Sequence, residues 1–251
     1  MKLSRLLRSE DARQTLDLTL RLTQRSVSSE FKGTALGRLW SFINPLATIA
    51  IFALIFGVVF RGGVEPGRNS GINSFALWIG IGVLSWTFFS SGIMASMNAL
   101  VDNAGLLTKV YFPRQVLIYS AVLSLAVDFA FELLVLVIIA MLMGGPGVLL
   151  MIPALLVVTV LVGMFAVGLG LMLSIATVYF RDLGHLWQIF NQMWMYASGV
   201  VFPLTMVNKV QNDLFDKGWQ VNGGPIPLTT ILRLNPAETY LEAFRSCLYD
   251  F

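Results

Sequence analysis

One cysteine and one histidine are all that this chain of 251 residues offers toward thiol or imidazole chemistry. The lone Cys247 excludes a disulfide within the chain and a cysteine metal cluster. No G-x-x-x-x-G-K-[ST] phosphate loop occurs, since Thr34-Ala35-Leu36-Gly37 lacks both the spacing and the lysine. The H-E-x-x-H zinc pair and the nucleophile elbow are missing as well. The expectation is therefore no catalytic residue, no metal ligand set and no cofactor held by this chain. Charge is scarce too: 12% of residues, against about 25% in soluble proteins. That leaves too few polar groups to cover a globule in water. With 56% hydrophobic residues and a mean hydropathy of +0.75, the chain reads as an integral membrane protein. Its apolar runs are long and continuous, which favours helices over the alternating strands of a barrel. The net charge of +3 fits basic cytoplasmic loops and gives no reason to invoke nucleic acid. A signal peptide is not expected, because the first apolar run starts near Trp40, behind a charged segment too long for an n-region.

What is present divides the chain into three. Residues 1–39 hold Lys2, Arg5, Arg8, Arg13, Arg21, Arg25, Lys32 and Arg38, and read as an amphipathic helix along the cytoplasmic membrane surface, near anionic lipid. Residues 40–206 read as five spans, at 40–60, 75–101, 116–143, 148–179 and 184–206, each long enough for about 20 residues per crossing. Pro45 lies in the first turns of the first span, where proline is tolerated best. Residues 207–251 are rich in Gly, Pro and Asn up to Pro227, then turn to short helical pieces at 228–234 and 236–249. Those pieces are too short and polar to cross, so re-entrant or interfacial extracytoplasmic helices are expected. Basic residues set the orientation: with the N-terminus inside, the inner segments include Lys109, Arg114 and Arg181, and the outer loops between spans hold only Arg61 and Arg68.

Between the second and third spans lies the polar stretch Asp102–Arg114, with an N-cap candidate in Asp102 or Asn103 and a helix expected to end near Tyr111, because Pro113 biases Phe112 away from helix. It is where a membrane subunit could touch a soluble partner. Asp128 and Glu132 are the only acids within an apolar span, and their spacing puts them on one helix face. They read three ways: a proton or cation site, a contact with a cavity or partner, or a hydrogen-bonded pair between helices. His185 reads as an interfacial packing residue. In the fifth span Trp187, Phe190, Asn191, Trp194 and Ser198 form one stripe, and Phe52, Phe56, Trp86 and Phe89 are also deep aromatics. Such a surface could line a path for sugars, which stack on rings through their C–H faces. Helix packing or lipid contact explains any single one of these residues equally well.

The order Phe31-Lys32-Gly33-Thr34-Ala35-Leu36-Gly37-Arg38-Leu39-Trp40, Asn44-Pro45, Asn103-Ala104-Gly105-Leu106-Leu107-Thr108-Lys109-Val110-Tyr111-Phe112-Pro113-Arg114, Val178-Tyr179-Phe180-Arg181-Asp182 and Asn235-Pro236 resembles the membrane subunits of type-2 ABC exporters. The nearest branch is similar to the polysaccharide exporters of O-antigen, capsule, teichoic acid and galactan. The second long block is the most specific part, and the resemblance runs from about residue 15 to 250. It implies an all-α permease in the bacterial cytoplasmic membrane, paired with a second copy of itself and with two ATPase chains that carry ATP and Mg, and moving a lipid-linked polysaccharide outward. It implies ATPase coupling through Asn103, Gly105, Leu106, Leu107 and Lys109, with Arg181 and Asp182 nearby, and a cytoplasmic entrance at Lys32, Arg38 and Trp40. It also implies a sixth span and a basic tail after the Asn-Pro segment; neither occurs before Phe251, and a missing C-terminal part is the expectation. A drug-type ABC exporter, a proton-coupled secondary transporter using Asp128 and Glu132, and a non-transporting scaffold for a membrane synthase remain as alternatives.

Overall fold

The computed structural model describes residues 2–30, 32, 34, 36–55, 65–109, 111–217, 219–221, 224, 225 and 227–251. Ten α-helices appear among them: α1 Lys2–Glu30, α2 Trp40–Phe52, α3 Phe75–Asp102, α4 Ala104–Leu107, α5 Gln115–Gly144, α6 Ile152–Tyr179, α7 Leu183–Tyr196, α8 Leu204–Asp216, α9 Leu228–Arg233 and α10 Pro236–Leu248. One antiparallel pair of two-residue strands, β1 Gln220–Val221 and β2 Gly224–Pro225, lies between α8 and α9. Four stretches among the described residues are long and apolar enough to cross a membrane: Gly37–Ile55, Phe75–Asp102, Gln115–Gly144 and Pro146–Tyr179. They match the first four expected spans, though residues 56–60 of the first lie outside the described residues. The fifth, expected at 184–206, is not one helix. Its helix stops at Tyr196, and Gly199 takes a positive φ of 60°. Glycine alone adopts that conformation at no steric cost, and it turns the chain instead of extending the helix. Beyond the turn, α8 starts at Leu204 and runs into the stretch read as rich in Gly, Pro and Asn.

The chain forms two compact units. The first comprises Met1–Ile43, Phe88–Glu132 and Thr159–Gln188. Here α3 crosses α6 through two small-residue pairs spaced four apart, Gly92 with Ser96 and Ala166 with Gly170. A Cβ at Gly170 would lie 2.0 Å from the Ser96 Cβ, and one at Gly92 would lie 3.1 Å from the Ala166 Cβ. Lipid tails are as apolar as leucine, so close backbone approach and van der Waals packing hold such crossings. The Phe88 and Phe129 rings stack at 4.4 Å, and Phe89 stacks on Phe165 at 5.6 Å. The inward face of α1 carries threonines: Thr19 and Thr23 are buried, each hydroxyl donating to the carbonyl four residues earlier. Leu16 and Leu20 point outward with the charges, so α1 packs through Thr19 and Thr23 together with Leu22.

The second unit comprises Asn44–Thr87, Leu133–Val158 and Ile189–Phe251, and it contains α10. Ala237, Glu238, Leu241, Phe244, Arg245, Cys247 and Leu248 of that helix are all buried. Leu77, Trp78, Ile79 and Ile81 of α3 are buried in the same unit. The loop after α2 is pinned to the end of α10: Tyr249 donates its hydroxyl to the Glu65 carbonyl at 3.2 Å, the Arg68 amide donates to Asp250 at 3.1 Å, and the Ser70 hydroxyl donates to the Tyr249 carbonyl.

Candidate functional site

Asp102–Lys109 forms a short turn of helix seated on the first unit. Asn103 holds the N-cap position, but its side chain does not cap α4; its amide donates back to the Ala99 carbonyl at 2.9 Å and closes the end of α3. The helix runs only from Ala104 to Leu107, well short of Tyr111. Leu106 and Leu107 turn inward onto Ala99, Leu117 and Ile118, with Leu22 of α1 and Phe112 in the same cluster. The outward face is therefore Ala104, Gly105, Thr108 and Lys109. A Cβ on Gly105 would meet nothing within 4 Å. An open cavity of about 670 Å³ adjoins this helix, with Arg25, Asp102, Lys109, Ser120 and Ser124 in its lining. Arg181 and Asp182 are exposed in the turn between α6 and α7, where the Asp182 carbonyl accepts from the His185 and Leu186 amides. His185 itself is exposed.

Lys32, Arg38 and Trp40 are also exposed. Arg38 and Glu30, at the end of α1, lie within electrostatic reach of the Asp128 carboxylate. Phe42 meets Phe131 edge-on at 5.4 Å, so the Arg38–Phe42 segment lies against α5.

The aromatic residues separate into three settings. Trp86 meets Trp194 at 6.1 Å and Phe190 meets Trp194 at 5.5 Å, all within the second unit. Phe89 belongs to the stack with Phe165 in the first unit. Trp187, Trp86 and Phe89 are buried in the chain's own packing, whereas Phe190 is 50% exposed. Phe52 and Asn191 are half-buried, and Phe56 lies outside the described residues.

The most densely bonded polar cluster was not legible as a site. Asn235 caps α10, accepting from the Ala237 amide at 3.1 Å. The same side-chain oxygen accepts from the Trp194 indole at 2.8 Å, and the side-chain nitrogen donates to the Ala197 carbonyl and the Ser198 hydroxyl. One side chain thus joins the start of α10 to the end of α7. Nearby, Arg245 donates to the Gly199 and Val200 carbonyls at 3.1 and 3.0 Å, and its guanidinium lies 3.6 Å from the Trp78 ring centre. A Cβ on Gly82 would come within 2.6 Å of that guanidinium, so glycine is needed there. Asn235 and Pro236 did carry the capping signal in sequence; the partners 37 to 41 residues upstream did not. Asn235→Ala removes the cap and all three links, with an expected cost of about 1–2 kcal/mol, read as a lower melting temperature of the purified protein.

A family model described as ABC-2 type transporter matches residues 17–212, which takes in α2 to α7, the second half of α1 and most of α8. The chain belongs to the ABC-2 type transporter family. It is 28% identical over 235 residues to an O-antigen export system permease protein RfbA of Myxococcus xanthus, covering 93% of this chain and 80% of that protein. It is 24% identical over 191 residues to a protein of the same name from Klebsiella pneumoniae, covering 76% of this chain and 71% of that one. As an ABC-2 member with four helices suited to crossing a bilayer, it is a multi-pass membrane transport subunit.

Proposed function

We propose that this ABC-2 chain is the permease of an ATP-driven exporter that moves a lipid-linked polysaccharide out across the bacterial cytoplasmic membrane. The observation that carries the reading is the match along 93% of the chain to a relative named for O-antigen export. In this reading the N-terminus is cytoplasmic, two copies form a homodimer, and each recruits one ATPase chain that holds the ATP and Mg. The ATPase contact is α4 through Ala104, Gly105, Thr108 and Lys109, with Arg181 and Asp182 beside it. Leu106 and Leu107 hold α4 to its own unit, so that movement of the outer face is passed to α3 and α5. The glycan runs past Phe190, with Trp194 and Trp86 behind it and Phe52 and Asn191 on the same unit. Lys32, Arg38 and Trp40 form the cytoplasmic entrance.

The test is translocation of a lipid-linked glycan into vesicles holding the permease and its ATPase. Gly105→Trp adds bulk where no neighbour lies within 4 Å. The expected result is an unchanged melting temperature with loss of the ATPase from the purified complex and of ATP-dependent export, by at least about tenfold. A complex that forms and exports normally would remove α4 as the contact. Export that needs a proton gradient and ignores ATP would replace the reading with the secondary transporter, and export confined to small apolar solutes would replace the polysaccharide.

A further inference from the structure

Glu238 of α10 is 1% exposed, and neither of its carboxylate oxygens has a hydrogen-bond partner among the described residues. Such a group normally costs more than folding tolerates unless it is neutral or paired. Gly199, the positive-φ residue in the break between α7 and α8, lies directly on it: a Cβ there would be 2.6 Å from Oε2. The break is otherwise held by Asn235 at Ala197 and Ser198 and by Arg245, which is committed to the Gly199 and Val200 carbonyls and to Glu242 at 3.2 Å. The charged groups near the carboxyl are Glu242 and Arg245 on its own helix and, across a cavity of about 370 Å³, Arg233 of α9. From α3 come Trp78 and Gly82 beside Arg245, without charge, and the break itself presents backbone.

We propose that Glu238 is a proton-operated latch: with its carboxyl neutral, the backbone of residues 197–203 folds down against α10, and with the carboxyl charged, the break lifts away so that water can reach it. Burial pushes the Glu238 carboxyl from 4.5 up to about 7, with Glu242 adding to the rise and Arg245 opposing it. The folded-down form therefore binds the proton more tightly than an opened, hydrated one. Its advantage is full below pH 4.5 and is lost as pH rises through about 7. Rising pH tips the break open, and the latch sits between α10 and the helix that carries Phe190 and Trp194.

Thiol labelling tests this on the full-length chain. Cys247, the one native thiol, is replaced by alanine, and Val200→Cys puts a probe in the break, where Val200 is 0% exposed. Maleimide labelling is compared with and without Glu238→Gln at each pH, and taking the ratio cancels the thiol's own ionisation. The ratio is expected to rise by at least about tenfold between roughly pH 5 and 8. Glu238→Met, of similar volume with no proton to lose, should match Glu238→Gln. A ratio that stays flat overturns the latch, as does a pH response that survives both Glu238 variants or disappears with Glu242→Gln instead. None of these outcomes depends on which solute is exported.

Discussion

Arg245→Met should destabilise the unit around α10 by about 3–5 kcal/mol, the range found when one partner of a buried charge cluster is removed. The guanidinium is 2% exposed and makes three kinds of contact that methionine cannot replace. It supplies donors to two carbonyls where the chain leaves α7, at 3.0 and 3.1 Å. It lies 3.6 Å over the Trp78 ring, a cation–π contact in a setting with little water. It is also the positive charge nearest the buried Glu238 carboxyl. Removing it leaves two backbone acceptors and one carboxyl without compensation, and each is costly when water cannot enter. The measurement is thermal unfolding in detergent, with Arg245→Met, Glu238→Gln and the double variant forming a cycle. Above about pH 7, where the Glu238 carboxyl loses its proton, the double variant is expected to recover part of the loss, because the amide has no charge to strand. If the two single effects simply add, the two side chains do not share a cluster and the account of α10 fails.

The second large effect lies where α3 crosses α6. Gly170→Ala places a methyl group 2.0 Å from the Ser96 Cβ, and helix backbone, unlike the end of a flexible side chain, cannot step aside. The expected loss is about 3 kcal/mol, at the upper end for overpacking, because the helices must separate along the whole crossing. Gly168→Ala is the internal control. It lies two residues away with nothing within 4 Å, and a helical glycine replaced there should gain up to about 1 kcal/mol. Ser96→Gly removes the obstructing atom, so the Gly170→Ala/Ser96→Gly pair should melt close to Ser96→Gly alone. Equal melting temperatures for Gly168→Ala and Gly170→Ala would show that the close approach of α3 and α6 does not hold this unit together.

The membrane helices were legible because long apolar runs have one solution in lipid. The spans read at 75–101 and 116–143 reappear as Phe75–Asp102 and Gln115–Gly144. The fifth was misjudged because apolar composition continues through Gly199, and hydropathy does not report a backbone turn. The small pairs at Gly92 and Ser96 and at Ala166 and Gly170 have the four-residue spacing of a helix crossing, a signal present in sequence but passed over beside the aromatics. The resemblance implies ATPase coupling through Leu106 and Leu107, and sequence alone does not show that both side chains also pack against Leu117 and Ile118.

Composition and hydropathy by themselves determined that this is a helical membrane protein, where four of its crossing helices lie, and that Asn235-Pro236 begins another helix. Those properties depend on residues close together in the chain. Which acid meets which cation, which aromatic faces outward, and why Gly82 and Gly199 must be glycine were decided only by the tertiary structure. Arg245 reaches carbonyls 46 and 45 residues away. The physical reason is that burial and pairing at these positions depend on segments distant in sequence, and a periodic pattern along one helix carries no information about what packs against it.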